Sequence, residues 1–76
     1  MFRSFAYKEF GNALKQYRRE HGLTQDDLAI MMGVGQQIVS FWERGALPKI
    51  PKIVQLEEIM GVSLWSLIAK DARAQA

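Results

Sequence analysis

Two adjacent glutamines, Gln36 and Gln37, follow a glycine-bounded turn in the stretch GVGQQIVSFWERG, residues 33–45. An amide side chain offers a donor and an acceptor at a spacing that matches N6 and N7 of adenine in the major groove of DNA. Glutamine is also a good helix former, and a glutamine on a helix surface is usually just solvated. The pair therefore indicates base recognition only if the neighbouring elements hold it at an exposed helix start.

Helical spacing along the chain predicts the first of those elements. Phe10, Leu14 and Tyr17 recur at i, i+4 and i+7. This spacing predicts an amphipathic helix over about residues 7–21, and Gly22 is a residue type that commonly ends a helix.

The next two helices are predicted from their ends. The Thr24 hydroxyl can accept a hydrogen bond from the third helical N–H while Asp27 bonds back to the Thr24 backbone, which is a capping box. This pattern predicts a second helix over about residues 25–32. A tight three-residue turn leads to a third helix over about residues 36–44, and Gly45 ends it.

Two further helices complete the pattern. Pro51 fits the first turn of a fourth helix, because the missing N–H of proline costs nothing there, and Gly61 ends that helix. Ser63 is predicted to cap a fifth helix over about residues 64–72, and residues 73–76 are expected to fray. The apolar residues predicted to face inward from these helices are Ile53, Leu56, Ile59, Met60, Leu64, Leu67 and Ile68.

The composition fits one small all-α domain. The 76 residues are 49% hydrophobic and 24% charged, carry a net charge of +2 and include no cysteine, which excludes disulfides and thiolate metal ligands. No apolar run is long enough for a membrane span and no signal-peptide pattern is present, so the expected location is the cytoplasm. We predict a compact five-helix bundle over residues 1–76, with a core at about 7–70 and flanks at 1–6 and 73–76.

The third helix is predicted to have two faces. On a helical wheel five mostly polar side chains fall on one arc of about 140° and four mostly apolar side chains on the other. Two helices joined by a short glycine-containing turn, the second exposing amides at its start, describe a helix-turn-helix. The outward arc holds Gln36, Gln37, Ser40, Phe41 and Arg44, and the inward arc holds Ile38, Val39, Trp42 and Glu43.

At these residues the chain resembles the Cro and lambda-repressor-type helix-turn-helix proteins, also called the XRE family. The matching segments are GLTQDDLA at 22–29, GV at 33–34, WERG at 42–45 and MGVSLWSLI at 60–68. The resemblance implies that Gln36, Gln37, Ser40 and Phe41 face the bases of double-stranded DNA. It also implies that Gln25 and Arg44 contact backbone phosphates, and Lys49 and Lys52 are expected to extend those phosphate contacts.

Glu43 is expected on the buried arc, where an unpaired carboxylate would cost several kcal/mol. Arg18 on the first helix is the candidate partner. The resemblance implies the same arginine–glutamate pair, so we interpret Arg18 and Glu43 as a structural ion pair that holds the third helix at its angle.

Phe41 departs from the family pattern, in which this position is usually polar. Three interpretations compete: contact with a thymine methyl, a half-buried position beside Ile38, or a protein-binding surface. Gly35 also departs, because serine or threonine would cap the helix better. The loop GALPK at 45–49 is about one residue shorter than usual and poor in basic residues.

Aromatic residues outside the helix-turn-helix suggest an interface between subunits or with a partner. Trp65 occupies a usually polar position, and together with Ile68 it is predicted to form a dimer or partner surface. The alternative is that Trp65 lies flat on its own bundle. Phe2 and Phe5 precede the first helix and either join an interface or close the end of the core.

No enzyme, metal or cofactor signal is present in the sequence. His21 is the only histidine, and the acidic neighbours at 26–27 and 57–58 point about 100° apart on their helices and cannot share a site. From the helix-turn-helix pattern and the family that the chain resembles, we predict a sequence-specific DNA-binding regulator. We expect a repressor from a bacterium or its phage that acts as a homodimer on a palindromic operator. No membrane contact and no small-molecule effector are expected. The alternative is a helix-turn-helix used as a protein-interaction module, such as an antitoxin, with Phe41 and Trp65 on the partner surface.

Overall fold

Five helices and no strand occur between residues 5 and 75, the part of the chain that the computed structural model describes. This confirms the predicted all-α class, and all five helices match the predicted ones in order. Phe2, which was expected with Phe5 either to join an interface or to close the end of the core, lies outside the described residues. The helices are α1 (Lys8–Glu20), α2 (Gln25–Met32), α3 (Gln36–Arg44), α4 (Ile50–Met60) and α5 (Trp65–Ala74).

The N-terminus of α1 is capped by a carboxylate from the other end of the chain. Asp71 on α5 is buried, and its two carboxylate oxygens accept hydrogen bonds from the backbone N–H groups of Glu9 and Phe10, each at 3.1 Å. Tyr7, at the N-cap position, makes no side-chain cap bond. The negative charge of Asp71 also complements the positive end of the helix dipole, so α5 is joined to α1 by electrostatics as well as by packing.

The capping box of α2 is present as predicted. The Thr24 hydroxyl accepts a bond from the Asp27 N–H at 3.0 Å, and the Asp27 carboxylate accepts one from the Thr24 N–H at 2.8 Å. The hydrogen bond from the Thr24 backbone is the main reason that the pKa of Asp27 lies below its ordinary value. Gly33 then ends α2 in the left-handed conformation, with a φ of 69°.

Two predictions for α5 are wrong. Ser63 does not cap it; Leu64 is at the N-cap position, and its N–H donates to the Glu57 carboxylate at 2.7 Å. The helix also continues through residues 73–74, which were expected to fray, and the Gln75 side chain donates to the Asp71 carbonyl at 3.0 Å. Glu57 thus accepts a hydrogen bond at the start of α5, where a Ser63 cap was expected, and the Gln75 side chain bonds to the last turn of α5, where fraying was expected.

The core lies where α1 packs on α3 and α5, and where α2 packs on α3 and α4. Ile38 is a correction: it was predicted to face inward, but it is 39% exposed, because the buried face of α3 is narrower than the apolar arc of the wheel. Ile59, Met60, Leu67 and Ile68 pack against the core as partly buried residues. The clustered buried side chains are Phe10, Leu14, Leu28, Ala29, Met32, Val39, Trp42, Leu56 and Leu64.

Among the described residues, no helix is both long and apolar enough to cross a bilayer.

Candidate nucleic-acid interface

The residues predicted to read DNA come together on one side of α3. Gln36, Gln37 and Arg44 are exposed, and Ser40 and Phe41 are half-buried. These five side chains line a shallow surface depression of about 260 Å³, which we call the α3 outer face. The sequence therefore predicted correctly which side chains this helix presents together.

The opposite side of α3 fixes the helix in the bundle. Val39, Trp42 and Glu43 are buried at positions i, i+3 and i+4, so the helix cannot rotate without exposing them. The helix begins after Gly35 without a side-chain cap, and Gly45 ends it in the left-handed region with a φ of 117°. The α3 outer face is thus presented by a helix whose orientation is set by core packing.

Glu43 and Arg18 form the predicted ion pair. The Arg18 Nε donates to one carboxylate oxygen of Glu43 at 2.7 Å and the Nη2 donates to the other at 3.1 Å, which is a bidentate arrangement. The third arginine nitrogen, Nη1, donates to the Leu23 carbonyl at 3.0 Å. The Glu43 side chain is 1% exposed and that of Arg18 is 14% exposed. The hydrogen bond to Glu43, aided by its charge, raises the pKa of Arg18 above the ordinary value.

A chain of hydrogen bonds extends from this ion pair to the α3 outer face. The Gln25 Nε2 donates to the Glu43 carboxylate at 3.1 Å, and the Gln25 Oε1 accepts from the Gln36 Nε2 at 2.7 Å. The order of groups is therefore Arg18, Glu43, Gln25 and Gln36. A fixed charge pair in the interior thereby restrains an amide at the surface, a link that sequence reasoning did not anticipate.

The amides in this chain keep hydrogen-bonding capacity for a ligand. Each Nε2 carries two N–H groups, and Gln25 and Gln36 each use one of them within the described part of the chain. The Gln36 Oε1 accepts no bond from residues 5–75, and Gln37 makes no side-chain hydrogen bond there either. One glutamine is thus restrained and its neighbour is fully available.

The two lysines that were expected to extend the phosphate contacts differ. Lys49 is exposed at the N-cap of α4. Lys52 instead donates to the Met32 carbonyl at 2.9 Å and lies 3.4 Å from the Gln55 side-chain oxygen. A cation is favoured at the C-terminal end of a helix, and this explains why Lys52 bonds to the end of α2. Lys52 therefore caps the end of α2, and its contact with a phosphate stays a prediction.

Phe41 lies beside a residue that no sequence pattern connected to it. The centroid of its ring is 6.4 Å from that of Phe5, and the Arg44 guanidinium carbon is 5.0 Å from the Phe41 centroid and 5.5 Å from the Phe5 centroid. Phe41 is half-buried, as one of the three interpretations predicted. That interpretation placed it beside Ile38, whereas Ile38 is exposed and the aromatic ring beside Phe41 is that of Phe5.

The predicted dimer or partner surface is partly exposed. Trp65 is 42% exposed at the start of α5, whereas Ile68 is half-buried and packs against the core. Somewhat less than half of Trp65 is thus open to solvent.

No cluster of His, Cys, Asp or Glu side chains suited to a metal ion occurs in the described range.

Comparison with known proteins decides the family. Residues 14–64 match the helix-turn-helix family HTH_3, and this match covers more than half of the chain. The chain belongs to the Cro and lambda-repressor-type helix-turn-helix family. It is therefore a transcriptional regulator of the helix-turn-helix type.

Two curated relatives support this assignment for the regulator. One is the uncharacterised HTH-type transcriptional regulator MJ0272 of Methanocaldococcus jannaschii, 37% identical over 54 residues, which span 70% of this chain and 82% of that protein. The other is the uncharacterised HTH-type transcriptional regulator y4dJ of Sinorhizobium fredii, 36% identical over 62 residues, 80% of each chain. Both are regulators, which agrees with the expectation that the chain is not an enzyme.

Solved structures show the same fold. One is SinR, the master regulator for biofilm formation, which was crystallised in complex with DNA. SinR is 31% identical to this helix-turn-helix regulator, with a TM-score of 0.65, and the match covers 78% of this chain and 97% of the SinR chain. The restriction-modification controller protein C.Esp1396I, as an R46A mutant, is 26% identical, with a TM-score of 0.67 over 90% and 96% of the two chains.

Proposed function

We propose that this regulator binds double-stranded DNA sequence-specifically through the α3 outer face. The observation that carries the proposal is the placement of Gln36 and Gln37 at the exposed start of α3, with Gln36 held by the hydrogen-bond chain from Arg18. A restrained amide loses less conformational entropy when it pairs with a base. SinR, a relative of similar fold, was crystallised in complex with DNA.

The phosphate contacts we propose come from Gln25, Arg44 and Lys49. Gln25 retains one amide N–H that points to no acceptor in the described chain, and Arg44 and Lys49 are exposed. Asp26 and Asp27 lie in the first turn of α2 and already complement its dipole. A phosphate at the N-terminus of α2 must therefore be bound by the Gln25 side-chain amide and not by the backbone N–H groups of that turn. These contacts fix the position of the protein, and Gln36, Gln37 and Ser40 then read the bases.

The assembly we propose is a homodimer with two-fold symmetry on a palindromic operator in the cytoplasm. The two copies of α3, about 34 Å apart, would reach successive major grooves on one face of the duplex. The exposed Trp65 supplies an aromatic contact for such an interface. A small regulator of this kind represses by occupying a promoter and blocking the polymerase.

A random-sequence duplex pool tests the proposal. Bound duplexes are recovered and sequenced, and one of them is titrated at several salt concentrations with fluorescence polarisation. We expect a palindromic consensus and a logarithm of affinity that falls linearly with the logarithm of salt concentration, by about 0.9 for each phosphate contacted. Recovery of random sequences, or an affinity that does not change with salt, would contradict the proposal.

Exposed apolar side chains favour a second candidate, a protein-interaction module such as an antitoxin. Ile30 is 72% exposed, Ile50 65% and Val62 52%. A partner that buries such residues is bound mainly by apolar contact, which salt does not weaken. The salt dependence of duplex binding therefore distinguishes the two candidates.

Gln37→Ala is expected to weaken binding to the recovered operator by about 1–3 kcal/mol and to relax the base preference at one position of each half-site. The reason is that Gln37 is exposed and makes no bond within the described chain, so its removal costs the fold almost nothing. Polarisation titrations with the operator and with single-base variants measure the effect. Gln16→Ala, an exposed glutamine on α1, is the matched control. Equal losses for operator and random duplex would refute base reading by Gln37.

A further inference from the structure

The segment that precedes α1 lies against the end of α3. The Tyr7 N–H donates to the Gly45 carbonyl at 3.0 Å. The Phe5 carbonyl lies so close to Gly45 that a Cβ at that position would overlap it, and Gly45 also has a φ of 117°. Only glycine satisfies both conditions, so the glycine that ends α3 also allows the N-terminal segment to pack there.

This packing brings Phe5 to Arg44. The Arg44 guanidinium lies over both the Phe5 ring and the Phe41 ring, at 5.5 and 5.0 Å from the centroids. The guanidinium donates no hydrogen bond to any residue in the range 5–75, and Arg44 is exposed. The two rings therefore restrain the position of the guanidinium and leave its N–H groups open to solvent.

We infer that Phe5 is a positioning residue for DNA binding, which with Phe41 holds the Arg44 guanidinium in the orientation that binds a backbone phosphate. An arginine side chain loses conformational entropy when its guanidinium binds an anion through two N–H groups. A guanidinium that already lies against two rings has lost part of that entropy before binding, so the anion binds at a lower entropic cost. The inference rests on the proposed function.

Phe5 lies outside residues 14–64, the segment that matches the helix-turn-helix family. The inference thus adds a residue from the N-terminal flank to the interface and gives Phe41 a specific role. In this role Phe41 supports the guanidinium and does not itself have to contact a base.

A double-mutant cycle tests the inference. Phe5→Leu, Arg44→Gln and the double variant are titrated with the recovered operator at several salt concentrations. Phe5→Leu is expected to weaken binding about 2–5-fold in the wild-type background. In the Arg44→Gln background the same substitution is expected to have no effect, because the guanidinium that Phe5 positions is gone. Phe5→Tyr, which keeps the ring, should bind like the wild type.

A spectroscopic measurement on the free protein accompanies the cycle. The NMR signal of the Arg44 Nε–Hε group is expected to shift when Phe5→Leu removes a ring current, while the unfolding midpoint stays close to that of the wild type. Equal weakening by Phe5→Leu in both backgrounds, or an Arg44 signal that does not move, would overturn the inference while leaving the proposed function intact. A wild-type protein that binds no duplex would overturn both.

Discussion

Gly11→Ala is expected to destabilise the protein by about 2–3 kcal/mol, although alanine is the better helix former by about 1 kcal/mol. A Cβ at Gly11 would lie 2.6 Å from the Glu43 carbonyl oxygen and 2.7 Å from that of Trp42. Both atoms belong to the backbone of α3 and cannot rotate away. Helix α1 would have to move off α3, which loosens the core and the ion pair that restrains the α3 outer face.

Urea denaturation followed by circular dichroism measures this effect. Asn12→Ala is the matched control, because Asn12 is the exposed neighbour on the same helix and gains propensity without the clash. The control should be slightly more stable than the wild type, by up to about 0.5 kcal/mol. A Gly11→Ala protein as stable as the control would show that α1 and α3 do not approach as closely as the structure indicates.

Arg18→Met is expected to cost about 3–5 kcal/mol, because it leaves a buried carboxylate without its cation. Glu43 would keep only the hydrogen bond from Gln25, with its side chain still 1% exposed. The substitution also releases the group that anchors Gln25 and Gln36. For a domain of this size, with a total stability at the low end of about 5–15 kcal/mol, the variant should be largely unfolded at elevated temperature.

Thermal and urea denaturation give the stability of Arg18→Met, and Arg19→Met, at the exposed neighbouring position, is the control. The control should differ from the wild type by no more than about 0.5 kcal/mol. The double variant Arg18→Met/Glu43→Leu should recover much of the lost stability, since it removes the unpaired charge. If Arg18→Met alone unfolds like the wild type, the ion pair does not hold α3.

The sequence predicted best the features that depend on neighbours a few residues apart. The capping box of Thr24 and Asp27 and the glycines at 33 and 45 set the ends of α2 and α3, and these rules act within one helical turn. The pairing of Arg18 with Glu43 was also predictable, because a carboxylate on a buried face needs a cation.

Other contacts between distant segments could not be predicted. Asp71 caps α1 from 61 and 62 positions away, and Phe5 lies over Arg44 only because Gly45 lets the N-terminal segment approach. Ile38 is a second example. The helical wheel of α3 predicts which side chains form its apolar arc, but the packing of α3 against α1 and α2 decides how much of that arc is buried. Such contacts depend on three-dimensional packing, which spacing along one helix does not encode.

The most direct test of DNA binding by the α3 outer face is an NMR titration of the nitrogen-labelled protein with the recovered operator duplex. We predict that the largest shifts occur in the backbone signals of residues 36–44 and in the side-chain amide signals of Gln25, Gln36 and Gln37. Unchanged glutamine amides, with the largest shifts on another surface, would contradict the account.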